Sequence, residues 1–526
     1  MYNVTPLTQE LRTIVTHNAQ MLRYLEALNH EVPYTQRSWL YEDVSNADLV
    51  LDGWMEKLQE LESGTQFQQN VFQFDTSQLE KWGPQGGHEP ISKLMDSVVL
   101  PTFSGSKTTD YPAFRTREWS RAKSQATRLL MANGRVSRLR PASYEHVIDD
   151  MRARDTLESN SGFPDFKRRN IQEVKDRALE DARSGRWKKY PAIALFRRYN
   201  GKTRLVWMFP MSANLVEGSF FQPLQSALMV SPLSKEFLAP WTGFEQVRRV
   251  VERAYKQNQF VAASDFSATD AHFQLAVSRE VFDVLEQLYQ PQFREQLWDS
   301  IKHMHTIPLV VGPNEMIQGS HGVSSGSNWT NFIETIFDLI LACYVNQHVS
   351  VSGLYAIGDD MSWVSDSYNP KFAEILEDLA KGAGMEVKAD KTTNDRDKVK
   401  SLQRLFQRGY GLDGHIRAVY STVRALKSSI FPERFHNPKL WNSDMFCARQ
   451  FMILENCVDH PLFSEFVRFV CAGQKDLVPF AHKSEAALTR ITRESKLIPG
   501  LNPTYNQERR DSSLASFASI QLARTF

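Results

Sequence analysis

Cysteine is scarce: the 526 residues hold four, Cys343, Cys447, Cys457 and Cys471, all inside apolar stretches. None stands in CxxC spacing or near histidines at ligand spacing, which argues against a zinc site or a disulfide framework and suits a reducing compartment. Long apolar runs are also missing. The longest, residues 336–345, contains Asp338 and is far short of a bilayer span. Residues 1–10 lack the basic start and apolar stretch of a secretory signal. Internal repeats and low-complexity tracts are absent, and so is any excess of one charge. With 62 Lys and Arg against 61 Asp and Glu, the net charge of +1 argues against a general nucleic-acid coat.

What is present is an ordinary folding composition, 42% hydrophobic and 23% charged. The chain is too long for one core, yet nothing resembles a flexible linker, so subdomains sharing one body are expected. Charge is unevenly spread. Between Arg115 and Arg204 there are 23 Lys and Arg against 11 Asp and Glu, which reads either as a solvated surface or as a channel for phosphates. This segment is mostly helical by pattern, with a turn signal at Ser161-Gly162-Phe163-Pro164 and a strand expected over 205–209.

Further on, apolar spacing predicts a helix over 244–254 and then a buried strand, Phe260 to Ala263, running into Asp265. Helices are expected over 277–288 and 292–303, then a short strand pair turned by Gly312-Pro313-Asn314. After Ser324-Ser325-Gly326, residues Trp329, Phe332, Ile333, Ile336, Phe337, Ile340 and Leu341 mark one buried helical face. Two apolar strands then bracket Gly358-Asp359-Asp360, a hairpin with carboxylates at its turn. A helix over 371–379 and a hairpin around Asp413-Gly414 follow, and the remainder from Ser421 is mostly helical. This order describes an α+β sheet with helices behind it.

Phosphoryl transfer onto a growing strand requires hard cations held by a few converging carboxylates. Asp265 at a strand end and Asp359 and Asp360 at a hairpin turn suit that, provided the two strands are neighbours. A Gly-Asp-Asp alone is weak, since such turns are usually just turns. Its company decides. Asp265-Phe266-Ser267-Ala268-Thr269-Asp270, then Ser325-Gly326 with Thr330, then Tyr355-Ala356-Ile357-Gly358-Asp359-Asp360 resemble, in that order, the first three palm motifs of viral RNA-dependent RNA polymerases. Gly201-Lys202-Thr203-Arg204 resembles their basic motif over the nucleotide path, and Ser161-Gly162-Phe163-Pro164 their template loop. Ala389-Asp390-Lys391-Thr392 is similar to the lysine motif after the palm helix, and Leu402-Gln403-Arg404-Leu405-Phe406 to the primer-grip hairpin. The resemblance spans roughly residues 155–410. Residues 325–331 and the compact length look most like picobirnavirus polymerases, with partitiviruses next.

The resemblance implies a right-handed polymerase fold with fingers, palm and thumb encircling the active site. It divides the chain into an extension on fingers and thumb (1–110), fingers (111–255), palm (256–275 and 319–412), a fingers insertion (276–318), thumb (413–501) and a tail (502–526). It implies an RNA-directed RNA polymerase of a double-stranded RNA virus, with two Mg²⁺ ions, Mn²⁺ as substitute, on Asp265, Asp359 and Asp360. Lys391 would protonate the pyrophosphate. Lys202, Arg204 and Arg198, with Arg197 beside them, would meet the triphosphate. Asp270 would accept from the ribose 2′ hydroxyl. Ser325, Gly326 and Thr330 would support the nucleotide, and the second sugar contact stays open between Asn328 and Asn331. Ser161, Gly162, Pro164 and Arg404 would face template or primer. Partners would be RNA template and product, ribonucleoside triphosphates and the capsid interior, without a membrane. The protein would act as a monomer in the virion interior and host cytoplasm. Gly358 and Asp270 disfavour a reverse transcriptase, and the intact carboxylates disfavour a non-catalytic RNA-binding protein. The tail from Asn502 is long enough to lie in the channel and regulate initiation; a disordered end is the alternative.

Overall fold

The computed structural model describes residues 2–104, 110–131, 136–154, 156–434, 437–498, 501 and 513–526. Its strands are β1 (Asn3–Pro6), β2 (Ala192–Tyr199), β3 (Lys202–Met208), β4 (Phe260–Asp265), β5 (Leu309–Val310), β6 (Glu315–Gln318), β7 (Ser352–Ile357), β8 (Asp360–Ser365), β9 (Thr393–Asn394), β10 (Lys398–Ser401), β11 (Arg404–Leu412) and β12 (His415–Tyr420). They form three sheets, ordered β1-β6-β5-β2-β3, β7-β8-β4-β9 and β10-β11-β12. The helical face anticipated from Trp329 onward runs Trp329–Val345 and lies behind the second sheet, its length almost wholly buried. The two hairpins expected around Gly358 and Asp413 are both present, as is the short pair β5–β6.

Two strands of the five-stranded sheet were not expected. Strand β2 belongs to a stretch read as helical. Residues 192–194 are buried inside a five-stranded sheet, so no polar–apolar alternation marked them. Strand β1 adds to the same sheet from more than three hundred residues away, opposite Glu315–Gln318.

Three large apolar cores result. One joins helix Arg117–Met131 and helix Leu275–Leu285 to the long helix under the second sheet. Another collects the five-stranded sheet with residues 7–28 and 91–103 and the first half of helix Met211–Met229. The last joins helices Thr422–Ile430, Ser443–Glu455, Phe463–Cys471 and Glu485–Ser495 with residues 40–74. Residues 2–104 therefore pack on both flanking bodies. They also bridge them: Gly86 N–H donates to Arg198 O at 3.1 Å, Gln85 Nε2 to Phe431 O at 2.7 Å and Ser38 N–H to Ile430 O at 3.0 Å. Arg197, near the tip of the β2–β3 hairpin, pairs with Glu433 beyond helix Thr422–Ile430. Fingers and thumb thus close around the sheet carrying Asp265.

Of the tail, residues 502–512 lie outside the described set. Residues 513–526 do not enter the cleft. Leu514, Phe517, Ile520 and Ala523 are buried in the thumb core. The buried Glu455 carboxylate accepts from Ala518 N at 3.1 Å, Ser519 N at 3.0 Å and Ser519 Oγ at 2.8 Å. Apolar spacing at 514, 517 and 520 decides this, and the polar residues around it obscured the pattern. Deleting residues 513–526 is expected to cost several kcal/mol, at roughly 1.5–3 kcal/mol per large side chain removed from the core and about 1–3 kcal/mol for the donors lost by Glu455. A thermal melt checks this. An unchanged midpoint would refute the docking.

Candidate active site

Strand β4 buries Val261 to Ser264 and ends on Asp265, which reaches the cleft. Strand β8 pairs antiparallel with it and sets Asp360 directly opposite Asp265. Because Ile357 of β7 faces Asp360, Gly358 and Asp359 make up the entire turn. Gly358 has φ +58°, and a side-chain carbon there would lie 2.6 Å from Asn331 Nδ2. Such a two-residue turn selects glycine. The turn is held from behind, where Gly358 N–H donates to Thr335 Oγ1 at 2.9 Å and the Thr335 hydroxyl to Asn331 O at 2.7 Å. The long helix therefore fixes where Asp359 stands.

Residues after β4 bring in a further group. Ser267 N–H donates to Glu386 O at 2.8 Å and Phe266 forms a bridge with Val387. This draws the turn Ala389–Lys391 alongside β4, and the Lys391 charge is felt at Asp265. Ala268, at φ +49°, starts the short helix Thr269–His272 that carries Asp270 to the same cleft.

The carboxylates raise one another. Desolvation in the cleft, then the Asp359 charge, lift Asp265 to about 6, while Lys391, Arg204 and Lys202 pull it back. Burial, Asp359 and Asp265 lift Asp360 to about 7. Burial and Asp359 lift Asp270 to about 6 against Arg204, and burial raises Asp359 itself. Behind them, burial raises Glu334 and Asp338 of the long helix well above the usual carboxylate value, and neither Asp338 oxygen has a hydrogen-bond partner among the described residues. An excess of mutually repelling hard oxygen ligands fits divalent cations. Among the described residues no group of three or more His, Cys, Asp or Glu side chains is placed to hold a metal ion.

Lys202 and Arg204 are exposed on one face of β3 and act on Asp265. The register puts Arg197 opposite Arg204 and Tyr199 opposite Lys202, hence on that same face. Arg198 pairs with Thr203 and faces the other way, its guanidinium 4.9 Å from the Tyr34 ring. The nucleotide role expected of Arg198 is therefore corrected: strand alternation turns it from the cleft.

The Ser324–Asn328 loop lies on β3. Ser325 Oγ donates to Leu205 O at 3.1 Å, and a side-chain carbon on Gly326 would stand 1.6 Å from Trp207 O. Thr330 spends its hydroxyl inside the loop, on Ser324 O at 2.8 Å, so it shapes the loop and does not present that group to a nucleotide. Asn328 bonds to Glu217 and Asn214, whereas Asn331 sits at the Gly358 turn. Asn331, and not Asn328, therefore lies beside that turn.

Sequence reading missed the anchor of this loop. Glu217, 1% exposed, accepts from Ser327 Oγ, from Asn328 N at 3.2 Å and from Asn214 Nδ2 at 2.8 Å. Asn214 also donates to Gly326 O at 3.2 Å and accepts from Arg169 at 2.9 Å. Burial lifts Glu217 to about 7 although these donors lower it. Glu217, the one charged residue of helix Met211–Met229, three residues from Asn214, was the available signal.

The template and primer residues divide. Ser161 is 2% exposed and exchanges bonds with Lys167, and Gly162 at φ +64° packs against Phe209 O. Both therefore shape the loop from inside, while Pro164 is half-buried at its surface. Arg404, 5% exposed, donates to Ala418 O and Asn456 O and lies over Phe244 and Tyr420. It is a strut between hairpin and thumb, which corrects the expected RNA contact.

Residues 199–426 match the sequence profile of the family described as viral RNA-dependent RNA polymerase. That segment holds the paired strands, the loop and the basic face just described. Over that segment the chain is similar to the viral RNA-dependent RNA polymerases. It is 27% identical over 467 residues to a human picobirnavirus protein named "Potential RNA-dependent RNA polymerase", covering 84% of this chain and 83% of that one. Over 154 residues, 29% of each chain, it is 23% identical to the RNA-directed RNA polymerase of Cryptosporidium parvum virus 1. The crystal structure of a human picobirnavirus RNA-dependent RNA polymerase superposes with TM-score 0.81 at 22% identity, over 99% of this polymerase and 100% of that chain. Its insertion-loop deletion mutant gives 0.80. The right-hand fold expected from the motifs is therefore the fold of this enzyme. No helix among the described residues is long and apolar enough to cross a membrane.

Proposed function

We propose that the enzyme replicates and transcribes a double-stranded viral RNA genome by two-metal-ion nucleotidyl transfer. The observation that carries this reading is Asp265 paired with Asp360 beside Asp359, facing the cations of β3. Likeness to picobirnavirus polymerases supports the genome type.

Asp265, Asp359 and Asp360 would hold two Mg²⁺, or Mn²⁺ in their place, which when bound supply Lewis-acid stabilisation of the transferring phosphoryl group. Lys202 and Arg204 bind triphosphate oxygens, Arg by two donors and Lys as a point charge. Lys391 Nζ delivers a proton to the departing pyrophosphate. Asp270 accepts from the ribose 2′ hydroxyl with Asn331 beside it, and the Ser325–Gly326 loop supports the template base pair. Pro164 borders the template. The cleft tracks phosphates without reading sequence. RNA template and product pass through a monomer held against the capsid interior, in the virion and the host cytoplasm.

Labelled ribonucleotide incorporation on single-stranded RNA with magnesium tests the reading. No template-dependent product with either metal, primed or unprimed, would overturn it. Asp270→Ala is expected to reduce preference for ribo- over deoxyribonucleotides about 10-fold or more, the worth of a hydrogen bond to a charged group. Unchanged discrimination would remove Asp270 from that role.

Metal dependence should shift with pH. Asp360 near 7 and Asp265 near 6 must ionise to bind a cation, so protons compete more as pH falls. Half-saturating magnesium is expected to rise about tenfold for each unit below pH 7 per proton displaced. A value constant from pH 8 to 6 would contradict this.

A further inference from the structure

Two loops far apart in sequence meet on the first turns of helix Met211–Met229. One is residues 159–169, which carries Pro164, and the other is the Ser324–Asn328 loop. Met211 N–H donates to Ser161 O at 2.9 Å, so the helix starts on the first loop. Arg169 closes the base of that loop: its backbone N–H donates to Ser159 O at 3.1 Å and its Nε to Asn160 O at 3.1 Å. The guanidinium then reaches onward, Nη2 donating to Asn214 Oδ1 at 2.9 Å. From the other end of the same amide, Asn214 Nδ2 donates to Glu217 Oε1 at 2.8 Å and to Gly326 O at 3.2 Å. Glu217 in turn accepts from Ser327 Oγ and from Asn328 N–H, and Asn328 Nδ2 donates back to Asn214 O at 3.2 Å.

An asparagine amide accepts at one end and donates at the other. A guanidinium only donates, whereas an ionised carboxylate and a peptide carbonyl only accept. Of the two ways the Asn214 amide can face, one therefore satisfies Arg169, Glu217 and Gly326 together, and the other sets N–H against N–H and oxygen against oxygen. Arg169 decides between them. The choice matters because Asn214 is 2% exposed and water cannot fill in for a lost partner. Burial pushes Arg169 down to about 10 and Glu217 up to about 7, and each charge holds the other back. The two act on each other across the neutral amide that separates them.

We propose that Arg169 and Asn214 are positioning residues of the nucleotide loop: the guanidinium at the base of the template loop fixes which way the Asn214 amide faces, and that orientation holds Gly326 and Glu217 in place. The consequence for synthesis rests on the polymerase reading, in which residues 325 and 326 support the template base pair. The hydrogen-bond polarity itself requires no catalysis.

Asn214→Asp in the full chain is the test, because it keeps the size of the side chain and its bond to Arg169 while replacing the donating end by oxygen. Hydrogen exchange of the segment 324–328 is expected to quicken about tenfold or more, the worth of one hydrogen bond to a charged group. The nucleotide KM in template-directed synthesis should rise by a similar factor with kcat changed less. Adding Glu217→Gln exchanges the polarity of the two positions, since the new amide can donate to the new carboxylate and still accept from Ser327 and Asn328. The double variant is expected to regain most of the exchange protection and most of the KM, which a role in packing alone would not produce. Arg169→Met should raise KM as Asn214→Asp does, and Arg169→Lys, which keeps one donor for Asn214, should recover part of it. Should Asn214→Asp not fold, Ser327→Ala, at a half-buried loop position, carries the comparison with an expected several-fold rise in both readouts. Unchanged exchange in Asn214→Asp, or a double variant no better than the single one, would overturn the network. Faster exchange with an unaltered KM would overturn the positioning role. If the natural chain made no product at all, the polymerase reading would fall, and the exchange result alone would decide the network.

Discussion

Asp359→Ala is expected to reduce template-directed synthesis by at least about 10³-fold while leaving RNA binding intact. Metal charge on a transferring phosphoryl group is worth several kcal/mol, and each ~1.4 kcal/mol is tenfold in rate. Asp359 occupies the turn between β7 and β8 and is the charge that raises Asp265, Asp270 and Asp360. Glu334 and Asp338 are buried in the helix behind, where burial raises their pKa and disfavours the charged form a metal would need. The same electrostatics give a second, independent outcome. In EDTA the variant is expected to melt no lower than the natural chain, because removing Asp359 removes repulsion among the remaining acids. A clear loss of stability in EDTA would mean that Asp359 is a structural residue, and retained synthesis would move the metal site elsewhere.

Gly326→Ala is expected to be nearly as damaging, for a steric reason. The added carbon would lie 1.6 Å from Trp207 O and 2.8 Å from Trp207 C, so backbone must move by more than an ångström. Strand β3 cannot readily yield, being paired with β2 from Lys202 to Met208. The loop must move instead, away from Asn214, whose Nδ2 reaches Gly326 O, and from the Glu217 bonds to Ser327 and Asn328. Misplacement of about 1 Å near a reacting group costs roughly 10²-fold, so kcat/KM for nucleotide addition should fall by at least that factor. Gly312→Ala is the control: its nearest atom would be Glu315 Cγ at 3.7 Å, an ordinary contact. If Gly326→Ala polymerises like Gly312→Ala, the loop does not support the nucleotide.

Much of the centre was legible before any coordinates. The hairpin at Gly358, the strand ending on Asp265 and the long helix after the glycine loop follow from local signals: two-residue turn chemistry, a short apolar run and helical periodicity. Legibility failed where the deciding contact was remote. Arg198 and Arg204 look alike in sequence, yet pairing of β2 with β3 sends one to Tyr34 and the other to the cleft. Arg404 has the motif of a primer contact, but helix Ser443–Glu455 and its following turn close over it. Glu217 carries no motif at all.

The sequence alone supplied the motif residues and the order in which the chain meets them, because residue type and near-neighbour spacing set strands, turns and helices. Only the tertiary structure decided that Asp360 stands opposite Asp265, that Asn331 and not Asn328 reaches the catalytic turn, and that the C-terminal residues belong to the thumb core. Each of these depends on strand register or on packing between segments tens to hundreds of residues apart, and the free energy that fixes them comes from burial and pairing that no local window contains.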